Sequence, residues 1–267
     1  MVAIVIPAKN EENRIAKVLD TCSFLAADII IVVINGCIDQ TKNKILGHPL
    51  LHKIKLIRYS TPLGIDIPRA IGAAYAYKIG SNVIMFLDGD MIGNIANNLN
   101  KLIYAVQNDG IDMALTNCYP YINYRHPLAS TVSKYREKLN KEIGLFPNLG
   151  ISTPSHGPHA ISRKLLQLIP FYSLAIPPLS LAIAAQKGLY IKVVTSIDHK
   201  LLLSSERNQK HSDLIAQTII GDCLQAINYI DNNPYSNNSR DLYLGYHPTR
   251  RFDLLEKYLH HLNLPMK

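Results

Sequence analysis

Over the first half of the chain, short runs of consecutive apolar residues alternate with stretches whose apolar positions recur every three or four residues. Residues 2–6 and 29–34 are unbroken apolar runs rich in valine and isoleucine. That is the pattern of strands buried on both faces of a sheet. Residues 54–59, 83–87 and 113–116 predict three more strands. Between them, residues 11–25 place Ile15, Val18, Leu19 and Cys22 on one helical face. Residues 41–46, 70–78 and 98–107 predict further helices, the second beginning just after Pro68, where a proline is tolerated. Strands alternating with helices predict an α/β fold built on a mostly parallel sheet.

Beyond about residue 118 the alternation lapses. Residues 131–143 predict an amphipathic helix carrying Lys134, Arg136, Glu137, Lys138 and Lys141, and the Gly/Pro/Ser/His stretch 147–158 predicts a loop. Helices are predicted at 179–186, 214–230 and 252–262, a strand at 190–195, and an exposed asparagine-rich connection at 232–239. No internal repeat is visible.

Composition narrows the classes. Across 267 residues, 48% are hydrophobic and 18% charged, which fits a packed globular chain and excludes disorder. Cys22, Cys37, Cys118 and Cys223 are far apart with no CxxC pair, so free thiols in a reducing compartment are expected rather than a zinc site or disulfide framework. The start of the chain has no basic region before its apolar run and reads as a strand rather than a leader. The longest apolar stretch, 171–185, is interrupted by Pro177-Pro178 and falls short of a membrane span, so a cytoplasmic protein is expected. A net charge of +8 favours acidic partners, but no dense Lys/Arg stripe with interleaved aromatics points to nucleic acid. Oligomeric state stays open, a homodimer included.

In open α/β sheets a ligand sits outside the carboxyl ends of the strands, near the point where strand order reverses. Three predicted strands deposit polar or acidic groups there: Pro7-Ala8-Lys9-Asn10-Glu11-Glu12, Asn35-Gly36-Cys37-Ile38-Asp39 and Asp88-Gly89-Asp90. The glycine between two carboxylates permits a tight turn and close approach of a ligand. Paired carboxylates require a counter-charge, and their oxygens suit Mg²⁺ or Mn²⁺. No Walker A, G-x-G-x-x-G, H-E-x-x-H or G-x-S-x-G motif occurs.

Taken together, these residues resemble the GT-A-type glycosyltransferases, above all the family 2 group. Residues 5–12 are similar to that family's opening strand and nucleotide loop, and residues 33–41 to its second-strand motif, usually DDGSTDGT. Gly64 to Gly72 with Arg69 resembles its G-x-x-x-A-R-N-x-G segment, and Asp88-Gly89-Asp90 sits where the family has its DXD. The resemblance implies a GT-A (Rossmann-like) fold with a nucleotide-sugar-binding half at 1–117 and an acceptor-side half at 118–267, in one continuous domain. It implies a metal-dependent enzyme that moves a sugar from a UDP- or GDP-linked donor to an acceptor, which the net charge allows to be anionic. Pro7, Ala8, Asn10 and Glu11 would line the nucleobase pocket, with Asn35 and Asp39 helping to hold the base. Arg69 would meet the diphosphate, Asp88 the ribose and the metal, and Asp90 the metal and the chemistry. His199 is the expected third metal ligand, with His211 its rival.

The second half departs from the family. Inverting members place a carboxylate base at the start of a helix; here that place holds Pro177-Pro178-Leu179-Ser180. A fainter similarity to the retaining glucosyl-3-phosphoglycerate synthase group over 171–198 and 206–208 leaves the same gap. Ser155-His156-Gly157-Pro158-His159 is then the candidate acceptor loop, with His156 and His159 as candidate catalytic groups. The competing readings are a catalytically weak or inactive nucleotide-sugar-binding protein and a sugar-nucleotidyltransferase. The latter requires a glycine-rich N-terminal loop, and residues 7–12 contain no glycine.

Overall fold

In the computed structural model, residues 1–121, 127–205, 208–231 and 244–265 are described. The predicted connection at 232–239 lies outside them. The apolar runs become β1 (Val2–Ala8), β2 (Ile29–Asn35), β3 (Ile54–Tyr59), β4 (Val83–Phe86) and β5 (Met113–Asn117), joined later by β6 (His159–Ser162) and β7 (Ile191–Ser196). They form a seven-stranded sheet in the order β3-β2-β1-β4-β6-β5-β7. The pairings of β1 with β2, β1 with β4, β2 with β3 and β5 with β7 are parallel, and β6 runs antiparallel to both its neighbours. The mostly parallel α/β sheet expected from the pattern is present.

Successive residues of β1 and β2 fall alternately into two buried clusters, one on each face of the sheet. Ala3, Val5, Ile31 and Val33 pack on one side and Ile4, Ile6, Ile30 and Val32 on the other. Both faces are therefore covered, which is why these strands read as unbroken apolar runs. One face is covered by Ile15, Val18 and Leu19 of α1 (Ile15–Cys22) and by Leu99, Leu102 and Ile103 of α4 (Ala96–Asn108), and near it lies the short α2 (Thr41–Leu46). The other is covered by α3 (Ile67–Lys78), by α8 (Pro177–Gln186), and by α9 (Gln209–Ile230) with α10 (Phe252–His261). Between α4 and α8 lie α5 (Pro127–Glu142), the one-turn α6 (Phe146–Leu149) and α7 (Arg163–Leu168).

Three features differ from the pattern reading. Residues 159–162 are a central strand, although they border the stretch read as loop. Four residues with a histidine at their head carry no periodic signal, and the edges of β4 and β5 on either side make them a strand. The turn of helix at 146–149 and α7 likewise carry too few residues for a periodicity to register. The two prolines at 177–178 open α8 instead of preceding it. A first helical turn has no partner for its N–H groups, so proline costs nothing there. Because β5 pairs with β6 and β7, the sheet runs across the boundary between residues 117 and 118. The two halves share one scaffold.

Candidate active site at the carboxyl ends of the strands

Strand order reverses between β1 and β4, and the loops leaving these neighbours lie side by side. Pairing continues past the strand ends: the Leu87 amide donates to the Val5 carbonyl at 3.1 Å and the Gly89 amide to the Pro7 carbonyl at 3.2 Å. A Cβ on Gly89 would lie 2.9 Å from that same oxygen, so only glycine lets the two loops close up. Asn10 turns the first loop in a left-handed conformation, φ 57°, and its side-chain oxygen accepts from the Ile38 amide at 3.0 Å. These loops floor a cavity of about 660 Å³ lined by Pro7, Ala8, Asn10, Glu11, Asp88 and Asp90. Its far wall comes from α9, through His211, Ile215 and Thr218, and from Tyr246 and Thr249 ahead of α10.

A continuous run of ion pairs ties that wall to the DXD loop. The buried Arg250 guanidinium donates to both oxygens of Asp222 at 2.6 and 2.7 Å and to Asp66 at 3.1 Å. Asp66 receives Arg69 on its other oxygen, and Arg69 donates in turn to Asp88. Burial works against the Arg69 charge, but Asp88 and Asp66 outweigh it and hold the guanidinium firmly protonated. Burial lifts Asp222 to about 6 against the opposing pull of Arg250. Three carboxylates and two guanidiniums leave this run with one net negative charge beside the cavity. Gly64 lets the segment ahead of α10 approach, since a side chain there would overlap the Thr249 carbonyl.

The structure gathers some of the expected site residues and separates others. Pro7, Ala8, Asn10, Glu11, Asn35, Arg69, Asp88 and Asp90 share the cavity. Asn35 is tied down within it, accepting from the Leu63 amide at 2.5 Å and donating to the Gly64 carbonyl at 3.0 Å. Asp90 accepts from the Ser205 amide at 3.1 Å, which draws the segment after β7 over the DXD loop. Asp39 is not part of the cavity wall. Its carboxylate accepts from the amides of Glu12 and Thr41 at 3.1 and 3.0 Å and from the Thr41 hydroxyl at 2.6 Å. Burial would raise the Asp39 pKa, but these hydrogen bonds outweigh it and hold the carboxyl below its ordinary range.

The histidines are redistributed. His199, expected beside Asp88 and Asp90, instead meets His156 through a 3.0 Å ring-nitrogen contact, and both rings lie against Tyr119. Among the described residues no three His, Cys, Asp or Glu side chains are grouped to hold a metal, so the expected trio of Asp88, Asp90 and His199 is not assembled. The reason is local. His199 opens the turn that follows β7, where its amide donates to the Cys118 carbonyl at 3.0 Å, so it is held beside the end of β5, and the chain reaches the DXD loop only farther on, at Ser205. His211, the rival, does line the cavity, with its Nδ1 2.7 Å from the Tyr246 hydroxyl. His159 is buried in β6, stacked on Phe86 at 4.8 Å, and does not line the cavity. Burial, and then Arg69, push its pKa down to about 3, so it is a neutral core residue beneath the site. His156 likewise stays off the cavity wall, and its neighbour Ser155 is on it.

Asp66, Asp222, Arg250 and Tyr246 escape a reading of the sequence. Arg250 meets Asp66 across 184 positions and Asp222 across 28, and no local spacing announces either pair. The one signal is the position of Asp66, just ahead of the helix that bears Arg69.

The sequence profile of glycosyl transferase family 2 matches residues 3–169, and no curated protein matches the chain. Among solved structures, the chain resembles glucosyl-3-phosphoglycerate synthase from Mycobacterium tuberculosis in complex with Mn²⁺, uridine diphosphate and phosphoglyceric acid. The TM-score is 0.62 at 19% identity, covering 85% of this chain and 78% of that one. The same synthase in complex with phosphoglyceric acid superposes with a TM-score of 0.63 at 18% identity, covering 85% and 80%. Its uridine diphosphate complex gives 0.61 at 19% identity, again covering 85% and 80%. The profile spans more than half of the chain, and the mostly parallel sheet flanked by helices is the fold that the resemblance led us to expect. The chain therefore belongs to glycosyl transferase family 2 and is a glycosyltransferase of GT-A fold.

Proposed function

We propose that the protein transfers a sugar from a nucleotide diphosphate-sugar, UDP- or GDP-linked, to an acceptor, with Mn²⁺ or Mg²⁺ bound at the DXD loop. The observation that carries this reading is Asp88-Gly89-Asp90 at the end of β4, opening into a cavity at the switch point beside the β1 loop. Its support from outside the chain is that the resembling synthase forms complexes with Mn²⁺ and uridine diphosphate. The residues fit such an ion, because carboxylate oxygens are hard donors of the kind both metals take. Asp90 is the main protein ligand in this reading, while Asp88 is turned toward Arg69. When bound, the ion would neutralise charge on the departing diphosphate. Pro7, Ala8, Asn10 and Glu11 provide the walls for the nucleobase and ribose, and Asn35 holds the Leu63–Gly64 loop against them. Four free cysteines are consistent with action in the reducing cytoplasm, and among the described residues no helix is long and apolar enough to cross a membrane.

The test is thermal unfolding with UDP and with GDP, each with and without Mn²⁺. Wild-type protein should show a metal-dependent rise in Tm, and Asp90→Asn should lose it while keeping its fold. Equal shifts in both proteins would overturn the assignment.

One observation favours a second reading, a protein that binds the donor with little or no transfer. The first turn of α8, where inverting relatives place their base, holds Pro177, Pro178, Leu179 and Ser180, all buried. Of the carboxylates that line the cavity, Asp66 and Asp222 are held by Arg250 and Asp88 by Arg69, and Glu11 and Asp90 belong to the loops after β1 and β4. An assay of nucleotide release from a panel of UDP- and GDP-sugars separates the readings. Binding without release or transfer selects the second.

A further inference from the structure

The mostly buried Arg69 and the buried Arg250 each hold two carboxylates. Arg136 holds none among the described residues. It projects from α5 and is 2% exposed, its Nε has no hydrogen-bond partner, and its one hydrogen bond is a long 3.4 Å contact from Nη2 to the Ser155 hydroxyl. Among the described residues no carboxylate lies within ion-pair distance of it, and its other titratable neighbours are neutral. Burial, then Arg136 itself, keeps the His156 ring neutral, and burial does the same for His199. Burial pushes the Cys118 and Cys223 thiols up to about 12, so neither is a thiolate. Asp198 acts on His199 and Cys118, but its Oδ1 accepts from the Lys200 amide at 2.9 Å and it forms no ion pair with Arg136. A buried cation without a counter-ion is costly, so an anion that reaches it is favoured.

Ser155 connects this charge to the cavity. It lines the same space as Asp88, Asp90 and Arg69, and its hydroxyl is shared between the Thr153 hydroxyl at 2.8 Å and the Arg136 guanidinium behind it. We propose that the cavity wall at Ser155 is an anion subsite, with Ser155 as the contact and Arg136 as the charge, and that it takes a phosphate or carboxylate group of the acceptor. The Ser155 hydroxyl can rotate to donate to such an anion, and the guanidinium fork one layer deeper then gains the counter-charge it lacks. A neutral acceptor would leave that charge unanswered. The inference rests on the reading of the cavity as a glycosyl-transfer site, since that reading makes the ligand an acceptor. The anion subsite itself stands on Arg136 and Ser155 alone.

The experiment uses the full chain, metal-free, titrated with inorganic phosphate or acetate against sodium chloride at equal ionic strength and read by Tm. At least one of the two anions should raise the Tm of wild-type protein beyond chloride, and which one does identifies the group that is read. Arg136→Gln and Ser155→Ala should each weaken that anion by about tenfold or more, Arg136→Lys should retain part of the effect, and Asp90→Asn should retain all of it. Shifts no larger than those of chloride, or undiminished shifts in Arg136→Gln, would overturn the proposal. Should Arg136→Gln not fold, an undiminished shift in Ser155→Ala overturns it equally. The UDP–Mn²⁺ shift is measured on the same proteins. If it persists while the anion shift is absent, the subsite fails and the donor reading stands. If it is absent while the anion shift depends on Arg136, the donor reading fails and the subsite stands.

Discussion

Gly89 and Asp39 show how differently two polar-loop residues serve this site. Gly89 lies against the Pro7 carbonyl with no room for a Cβ, so Gly89→Ala must push the β1 and β4 loops apart. The fold, read by circular dichroism, should survive, and the metal-dependent Tm shift with UDP or GDP should fall away. A full shift in the variant would show that loop separation is immaterial to binding. Asp39 binds the start of α2 to the β1 loop through two amides and a hydroxyl. Asp39→Ala leaves those donors without their acceptor and should cost ~1–2 kcal/mol of stability, measured by urea unfolding. A variant as stable as wild type would return Asp39 to a role at the ligand.

At the scale of elements, the run from Asp222 through Arg250, Asp66 and Arg69 to Asp88 binds α9, the segment ahead of α10, the start of α3 and the end of β4. Its worth is asymmetric. Replacing a whole buried pair by apolar groups is often harmless, whereas removing one partner strands a buried charge at a cost of ~3–5 kcal/mol. Arg250→Met should therefore destabilise strongly in urea unfolding, and Arg250→Met combined with Asp222→Leu should recover part of the loss. If the double variant is worse than the single by the full cost of a second independent lesion, the two residues are not coupled. The same run explains why Arg69 is not simply available to a diphosphate: its Nη atoms are already committed to carboxylates.

For the whole molecule, two neutral histidines, the buried His159 and the half-buried His247, contribute to the response to acid. His159 is held at about 3 and His247 at about 4, in both cases with burial as the largest cause, against an unfolded value near 6.5. Between those values the unfolded chain binds more protons than the folded one, so stability rises with pH there. The contribution is complete above pH ~6.5 and is lost as pH falls toward the folded values, at up to ~1.4 kcal/mol per pH unit for the fully buried His159. Asp222, raised to about 6, has the opposite sign between its unfolded and folded values and offsets part of the slope. Urea unfolding at pH 7.5 and 5.0 should show the loss at the lower pH, and His159→Leu should flatten the slope between them. Parallel slopes in both proteins would mean that His159 takes up its proton without unfolding.

The pattern of apolar runs and helical faces determined the α/β class, six of the seven strands, and the end of the sheet at which the chemistry collects. That much was legible because burial on both faces writes an unbroken apolar run, and a strand's last residue is followed directly by the loop it positions. The placement of Pro7, Ala8, Asn10, Glu11, Asp88 and Asp90 around one cavity followed from that local rule. Where a group's place depended on partners far along the chain, only the tertiary structure decided. It made residues 159–162 a strand by offering them two edges, put His211 rather than His199 on the cavity wall, and turned Asp39 into a clamp between loops. It also joined Asp66 to Arg250 and, among the described residues, gave Arg136 no carboxylate partner. Ion pairs and burial between distant segments impose no period and no spacing on a sequence, so they become visible only when the chain has closed on itself.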